Sequence, residues 1–200
     1  MEKIFYFILS YLIGSIPFGY LLCKTVKGID IRKYGSGNIG ATNVYRVCGW
    51  KLGFPVLIFD ILKGFFPVFL GKILKYSIPL IFVGGLFSIV GHSFSIFLKG
   101  KGGKGVATSF GVLVGLLPLP ALFSFLIWLI VVLTTRFVSL GSILGSFFLP
   151  IFVIYFYTDN RFLFSISVLI FVFIIFTHRE NIKRLLKRKE NRITLPWEKK

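Results

Sequence analysis

The sequence predicts an all-α fold, a polytopic membrane helix bundle of about seven transmembrane helices with its amino terminus outside and its carboxyl terminus cytoplasmic. Three observations predict it. Of 200 residues, 56% are hydrophobic and 18% aromatic, more apolar material than one soluble core takes up. Apolar runs recur from end to end, several of them near the roughly 20 residues that a crossing needs. The 24 Lys and Arg, set against seven Asp and Glu, stand almost wholly between those runs. In a soluble chain a formal charge of +17 would point to nucleic acid. Interleaved with apolar runs it points to topology and anionic ligands, and no nucleic-acid partner is expected.

Residues 4–22 form the first apolar run. Met1-Glu2-Lys3 is a poor signal-peptide start and Leu22-Cys23-Lys24 a poor cleavage site, so the run is read as a retained helix one. Residues 23–51 are a polar segment of interfacial character. Residues 52–70 are apolar apart from Asp60 and Lys63 and make helix two, and residues 76–90 make a shorter helix three. Residues 106–135 are too long for one crossing, and Pro118-Leu119-Pro120 interrupts them where a helix would lose hydrogen bonds, so they divide into helices four and five. Residues 137–157 are helix six and residues 162–177 helix seven. Residues 178–200 have little apolar periodicity and read as a basic tail. The whole chain reads as one integral membrane domain.

Seven crossings place the termini on opposite faces. Segment 23–51, the loop before residue 106, Arg136 and the tail then share a face that holds 19 basic residues, whereas Lys3, Lys72, Lys75 and Arg161 lie opposite. That asymmetry makes the first face cytoplasmic. A five-crossing arrangement with re-entrant segments keeps the same sidedness.

Three polar stretches therefore face one compartment. Residues 91–105, GHSFSIFLKGKGGKG, concentrate three lysines and four glycines in positions 99–105. Glycine permits close backbone approach, so N–H groups such as those around Gly102 and Gly103 can converge on an anion while Lys101 and Lys104 supply charge. The same stretch also reads as a basic loop that sets topology and touches anionic lipid. His92 opens it, either as a ligand or as a residue that ends a helix. In GSGNIGATNVYRVCG, Ser36, Asn38, Thr42 and Asn43 alternate with small residues, and a helix from Ala41 to Val47 would put Asn43 and Arg46 on one face. Glycines that bend the backbone round an oxyanion, followed by an arginine fork, suit phosphate. A solvated, turn-rich connector is the plainer alternative. His178 and Asn181 are likewise three apart where helix seven meets the cytoplasm. Asp60 and Lys63, three apart inside helix two, are either a site or a structural ion pair.

Several absences narrow the chemistry. No GxxxxGK[ST] occurs, neither histidine is followed at the fifth position by aspartate, and there is no GxSxG. The cysteines are Cys23 and Cys48, with no CxxC and no adjacent histidine cluster, so neither a disulfide framework nor a metal site is indicated. No cofactor is expected. What remains is positive, glycine-rich and amide-rich, suited to phosphates without a metal.

Taken in order, SGNIGATNVYR (residues 36–46), GHSFSIFLKGKGGKGVAT (residues 91–108) and HRENIKRL (residues 178–185) resemble the bacterial acyl-phosphate-dependent glycerol-3-phosphate acyltransferase family. With the hydropathy, the resemblance covers nearly the whole chain. It departs in one place: the family usually has a glycine shortly before a glutamate near the third stretch, and here Arg188 stands before Glu190. The resemblance implies transfer of a fatty acyl group from acyl phosphate to the sn-1 hydroxyl of glycerol 3-phosphate, giving lysophosphatidic acid and phosphate, the first step of phospholipid synthesis. It implies a multi-pass protein of the bacterial inner membrane, in contact with the lipid bilayer, with its active-site loops cytoplasmic. Arg46 and Lys104 would be the main phosphate-binding cations, Ser36, Asn38, Thr42 and Asn43 would hold phosphate or hydroxyl groups, and His178 and Asn181 would orient the acceptor or stabilise the oxyanion. His92, Lys101, Gly102 and Gly103 would line the anion site, with Ser139 and Ser142 as further candidates. A transporter of a phosphorylated metabolite is the rival class, but it needs a midplane site reached from both sides, often with internal repeats that this chain lacks. A lipid-binding anchor would leave the glycines unexplained.

Overall fold

The computed structural model describes residues 1–194, and Glu198, Lys199 and Lys200 of the basic tail lie outside the described residues. Every regular element among the described residues is helical, and the chain divides into two units, Met1–Leu116 and Leu117–Lys200.

In the first unit, the run expected as helix one is broken into α1 (Glu2–Ser15) and α2 (Phe18–Lys27). The cause is Pro17, which has no N–H and pushes the preceding residue out of the helical region, so Ile16 adopts φ −59°, ψ 116°. Gly28, at φ +70°, ends α2 with a left-handed cap. The polar segment then contains a 3-10 turn, Ile31–Lys33, and α3 (Ala41–Cys48), followed by α4 (Trp50–Ile73), α5 (Ile78–Ser93), a second 3-10 turn at Ile96–Leu98 and α6 (Val106–Leu116).

The helices meet through small residues. A Cβ on Gly14 of α1 would strike the backbone of Ser88 in α5, and one on Gly64 of α4 would strike that of Thr108 in α6. Between membrane helices such close approach supplies the packing that water exclusion supplies in soluble cores. A second apolar cluster gathers under the polar segment: Cys23, Ile31, Ile39, Val44, Val56 and Leu98 are all buried. Cys23 and Cys48 are free thiols whose Sγ atoms meet at 3.4 Å, a contact that their spacing of 25 residues did not announce.

The second unit is built on a hairpin of α7 (Pro118–Thr135) and α8 (Val138–Phe156), which turns at Arg136 in a left-handed conformation, φ +67°. Gly141 and Gly145, one turn apart on α8, lie against the backbone of Trp128 and Ser124. Next come α9 (Arg161–Thr177), N-capped by the Asn160 side chain, and α10 (Arg179–Leu186), bent from α9 by 62°. The first part of the basic tail is thus helical.

All seven apolar segments form helices. Among the described residues five helical spans are long and apolar enough to cross a membrane, six if α9 and α10 are one bent span. The 11 residues of α6 reach only about 16 Å at 1.5 Å per residue, half of the hydrocarbon thickness of about 30 Å.

Candidate functional site

The first polar stretch is organised by Asn43, which is only 2% exposed. Its Oδ1 accepts a hydrogen bond from the Ser36 amide at 2.8 Å, and its Nδ2 donates to the carbonyls of Asn38 at 2.8 Å and Tyr34 at 3.0 Å. Gly35 and Gly37, at φ +60° and +72°, let the chain curl so tightly that a Cβ on Gly35 would collide with Asn43 Oδ1. The backbone therefore bends round a side-chain amide, where an oxyanion was expected. Asn38 Oδ1 is similarly used, accepting from the Gly40 amide at 2.8 Å. Asn43 and Asn38 shape the loop. Ser36 is exposed on it, and Thr42 and Arg46 stand one turn apart, half-buried, on α3. Nearby, Asp30 caps the 3-10 turn and grips Arg32 with both oxygens, at 2.9 and 2.7 Å, while the guanidinium lies 4.8 Å above the Tyr20 ring. That hydrogen bonding from Arg32 pulls the Asp30 carboxyl down to about 2.

The glycine loop differs from expectation in what its amides do. Gly102 N–H donates to the Ser93 carbonyl and Gly103 N–H to the His92 carbonyl, each at 3.0 Å, so these two groups are not available to an anion. The glycines are required by proximity instead. A Cβ on Gly102 would enter the His92–Ser93 backbone, and one on Gly103 would enter the His92 ring. Lys99 and Gly100 make the preceding turn at φ +53° and +77°, with Lys99 and Lys101 exposed. Lys104 is half-buried, two residues before the start of α6. Leu98 belongs to the same buried cluster as Ile31, Ile39 and Val44, so the glycine loop and the Ser36–Arg46 stretch rest on one core.

Behind the loop lies a group of buried ionisable side chains. Lys63 Nζ is 2.8 Å from Asp60 Oδ1 and donates to the Ile16 carbonyl at 3.1 Å, capping the end of α1 that Pro17 exposes. The pair expected from the sequence is formed. His92, 4% exposed, turns Nδ1 toward Asp60 Oδ1 at 3.6 Å, an electrostatic contact longer than a hydrogen bond. With one edge toward Asp60 and the other against Gly103, the ring is enclosed beneath the loop.

In the second unit, the hub is Glu190, which the family resemblance marked as retained but to which the sequence assigned no role. Oε1 accepts from Ser139 Oγ at 2.9 Å and Asn181 Nδ2 at 2.6 Å, and Oε2 accepts from Arg184 Nε at 2.7 Å. Its side chain is 3% exposed. Burial pushes this carboxyl up, but the three hydrogen bonds and the charge of Arg184 outweigh it and hold the group below the usual carboxylate range. A lone acid within a basic run was the available signal. Arg188, where the resembled family has glycine, takes φ +55°. His178 is 2% exposed, and its Nδ1 lies 2.9 Å from the Ile174 carbonyl, so in the neutral ring Nδ1 carries the proton and Nε2 the lone pair. Ser142 Oγ donates back to the Val138 carbonyl at 2.9 Å. Thus Ser139 and Ser142 both spend their protons within the unit.

The sequence profile of the glycerol-3-phosphate acyltransferase family matches residues 4–188. The chain is 46% identical over 187 residues to a glycerol-3-phosphate acyltransferase of Fusobacterium nucleatum, covering 94% of this chain and 96% of that one. It is 49% identical over 186 residues to glycerol-3-phosphate acyltransferase 2 of Bacillus anthracis, covering 93% and 96%. It is also similar to the crystal structure of an integral membrane glycerol 3-phosphate acyltransferase in its glycerol 3-phosphate form, with a TM-score of 0.89 at 42% identity, over 97% of this chain and 96% of that one. The lysophosphatidic acid form of the same enzyme gives 0.87.

Proposed function

The chain belongs to the glycerol-3-phosphate acyltransferase family of integral membrane proteins, and from that premise we propose that it moves a fatty acyl group from an acyl phosphate to the sn-1 hydroxyl of glycerol 3-phosphate. The products are lysophosphatidic acid and inorganic phosphate. The reaction belongs to phospholipid biosynthesis at the bacterial inner membrane, with the motif loops on the cytoplasmic side.

The observation that carries the reading is the position of Lys104, at the end of a tightly folded glycine loop and separated by Gly105 alone from the amino terminus of α6. A cation beside the unpaired first-turn amides of a helix is an anion site by charge and by dipole. Arg46, on α3 above the same apolar core, supplies a second, fork-shaped cation. Ser36 and Thr42 are the hydroxyl donors of this stretch, while Asn38 and Asn43 serve by fixing its shape.

Acyl phosphate is a mixed anhydride whose leaving group is a stable anion, so the protein's task is to position the substrates and stabilise charge. The acceptor hydroxyl forms a new C–O bond at the acyl carbon, and the carbon–oxygen bond to phosphate breaks. We assign the hydroxyl proton to a phosphate oxygen of the substrate. His178 donates Nδ1–H to the Ile174 carbonyl, which orients the ring without the negative charge that a carboxylate partner would set behind it. His178 and Asn181 then orient the acceptor or bind the oxyanion, with Asn181 itself held by Glu190.

Purified protein supplied with acyl phosphate and glycerol 3-phosphate should release phosphate and form lysophosphatidic acid. Product formed only from an acyl thioester would overturn the assignment of the donor. Lys104→Ala and Arg46→Ala should each lower turnover severely, and wild-type rates in both would sink the phosphate site. His178→Ala separates the two choices of base: a loss confined to roughly tenfold favours the substrate phosphate, because removal of a general base typically costs ~10²–10⁴.

A further inference from the structure

We infer that His92 and Asp60 are positioning residues that seat the glycine loop and so set where Lys104 meets a substrate phosphate; this rests on the role proposed above for Lys104. Ionisable groups inside a membrane bundle are costly to keep and call for a reason. Asp60 and Lys63 supply part of it: they neutralise each other, and Lys63 caps Ile16. Neither fact needs His92, which is buried beside them and faces Asp60.

What His92 adds is a two-point grip on Gly103. Its carbonyl accepts the Gly103 amide, and its ring lies where a side chain at 103 would be. The Ser93 carbonyl holds Gly102 in the same way. The ring is backed on its far edge by Asp60, which the Lys63 ammonium fixes in turn. From the cap of α1 through α4 and α5 to residue 103 there is thus a continuous line of buried contacts, and Lys104 is the next residue. A displacement of the ring moves the seat of residue 103 and carries Lys104 with it, without removing any group that touches substrate.

The test is steady-state kinetics on the purified full chain, with both phosphate substrates varied, together with thermal unfolding of each variant. Gly103→Ala drives a methyl group into the ring and should raise the KM of a phosphate substrate by about tenfold to a hundredfold, with kcat held within about threefold and the melting temperature near wild type. His92→Ala should raise the same KM, and the double variant should do no worse than the weaker single, because the methyl group then has no ring to strike. Asp60→Asn combined with Lys63→Met removes both charges together and should shift the same KM in the same direction. Unchanged KM values in the Gly103 and His92 variants, or a loss confined to kcat, would overturn the proposal. Should His92→Ala fail to fold, Gly103→Ala, which lies outside every helix, decides alone. Wild-type activity in Lys104→Ala would instead sink the underlying site. An impaired Lys104→Ala beside normal KM values in the others sinks only the positioning role.

Discussion

Replacing Asn43 separates a residue that binds substrate from one that builds the loop. The side chain makes three hydrogen bonds of 2.8–3.0 Å, one accepted from Ser36 and two donated to Asn38 and Tyr34. At about 1 kcal/mol net for each, Asn43→Ala removes about 3 kcal/mol. Tyr34 and Ser36 are exposed, so water recovers part of that and about 2 kcal/mol is expected to be lost. For a chain of this size that is a fall of roughly 4–8 °C in melting temperature. Asn43→Asp gives the sharper comparison. It preserves the volume and the acceptor for Ser36, but it sets a carboxylate oxygen against two carbonyl oxygens that now receive hydrogen bonds. The expected order of stability is therefore Asn, then Ala, with Asp no better than Ala. Thermal unfolding in detergent, followed by tryptophan fluorescence beside phosphate release, reads both properties. A wild-type melting temperature in Asn43→Ala with turnover lost, or a fully stable Asn43→Asp, would refute the loop-building role and return Asn43 to the ligand set.

Two further predictions concern the end of the chain. Arg188 pays for a left-handed backbone at φ +55°, which costs a side-chain-bearing residue roughly 1–2 kcal/mol. Glycine's extra unfolded-state entropy offsets part of the gain, about 0.5–1 kcal/mol. Arg188→Gly should accordingly raise the melting temperature slightly and leave turnover unchanged, and a fall in stability would show that the arginine side chain makes contacts worth more than the strain. Glu190→Gln should be destabilising in a pH-dependent way. The folded carboxyl lies below its unfolded value, so its contribution is complete above an unfolded pKa of about 4.3 and is lost as pH falls through the folded one. The gap in melting temperature between wild type and variant should be widest near neutrality and narrow below about pH 4; a gap constant with pH would show that the carboxylate charge is not what holds Asn181 and Arg184.

The bundle was legible because in a membrane hydropathy and length nearly determine which segments are helical. The places it misled are those where a long-range partner decides. Pro17 sits inside an unbroken apolar run, and at the break the Ile16 carbonyl accepts from Lys63, 47 residues away, as well as from the Phe18 amide. The tail as a whole, residues 178–200, shows little apolar period, yet its first part is a helix, α10, whose Asn181 and Arg184 bind Glu190. Asp60 and Lys63 were readable as a pair because three residues on a helix is contact distance; His92 was not, since only the packing of α5 on α4 brings it to them. The glycine loop is the clearest case. A run of glycines permits both convergent amides and close approach, and the two uses leave the same composition. Only the partners distinguish them, and at Gly102 and Gly103 the partners are the carbonyls of Ser93 and His92. Asn43, which also looked like a ligand, is likewise spent on its own loop. Amides and glycines in these stretches therefore hold shape, and the recognition of phosphate proposed for them falls to the cations that the shape presents, Arg46 and Lys104, together with the first turn of α6. That division makes a sharp demand: changes at Asn43 and His92 must act through the placement of those cations, so their effects should shrink toward nothing once Arg46 or Lys104 has already been removed.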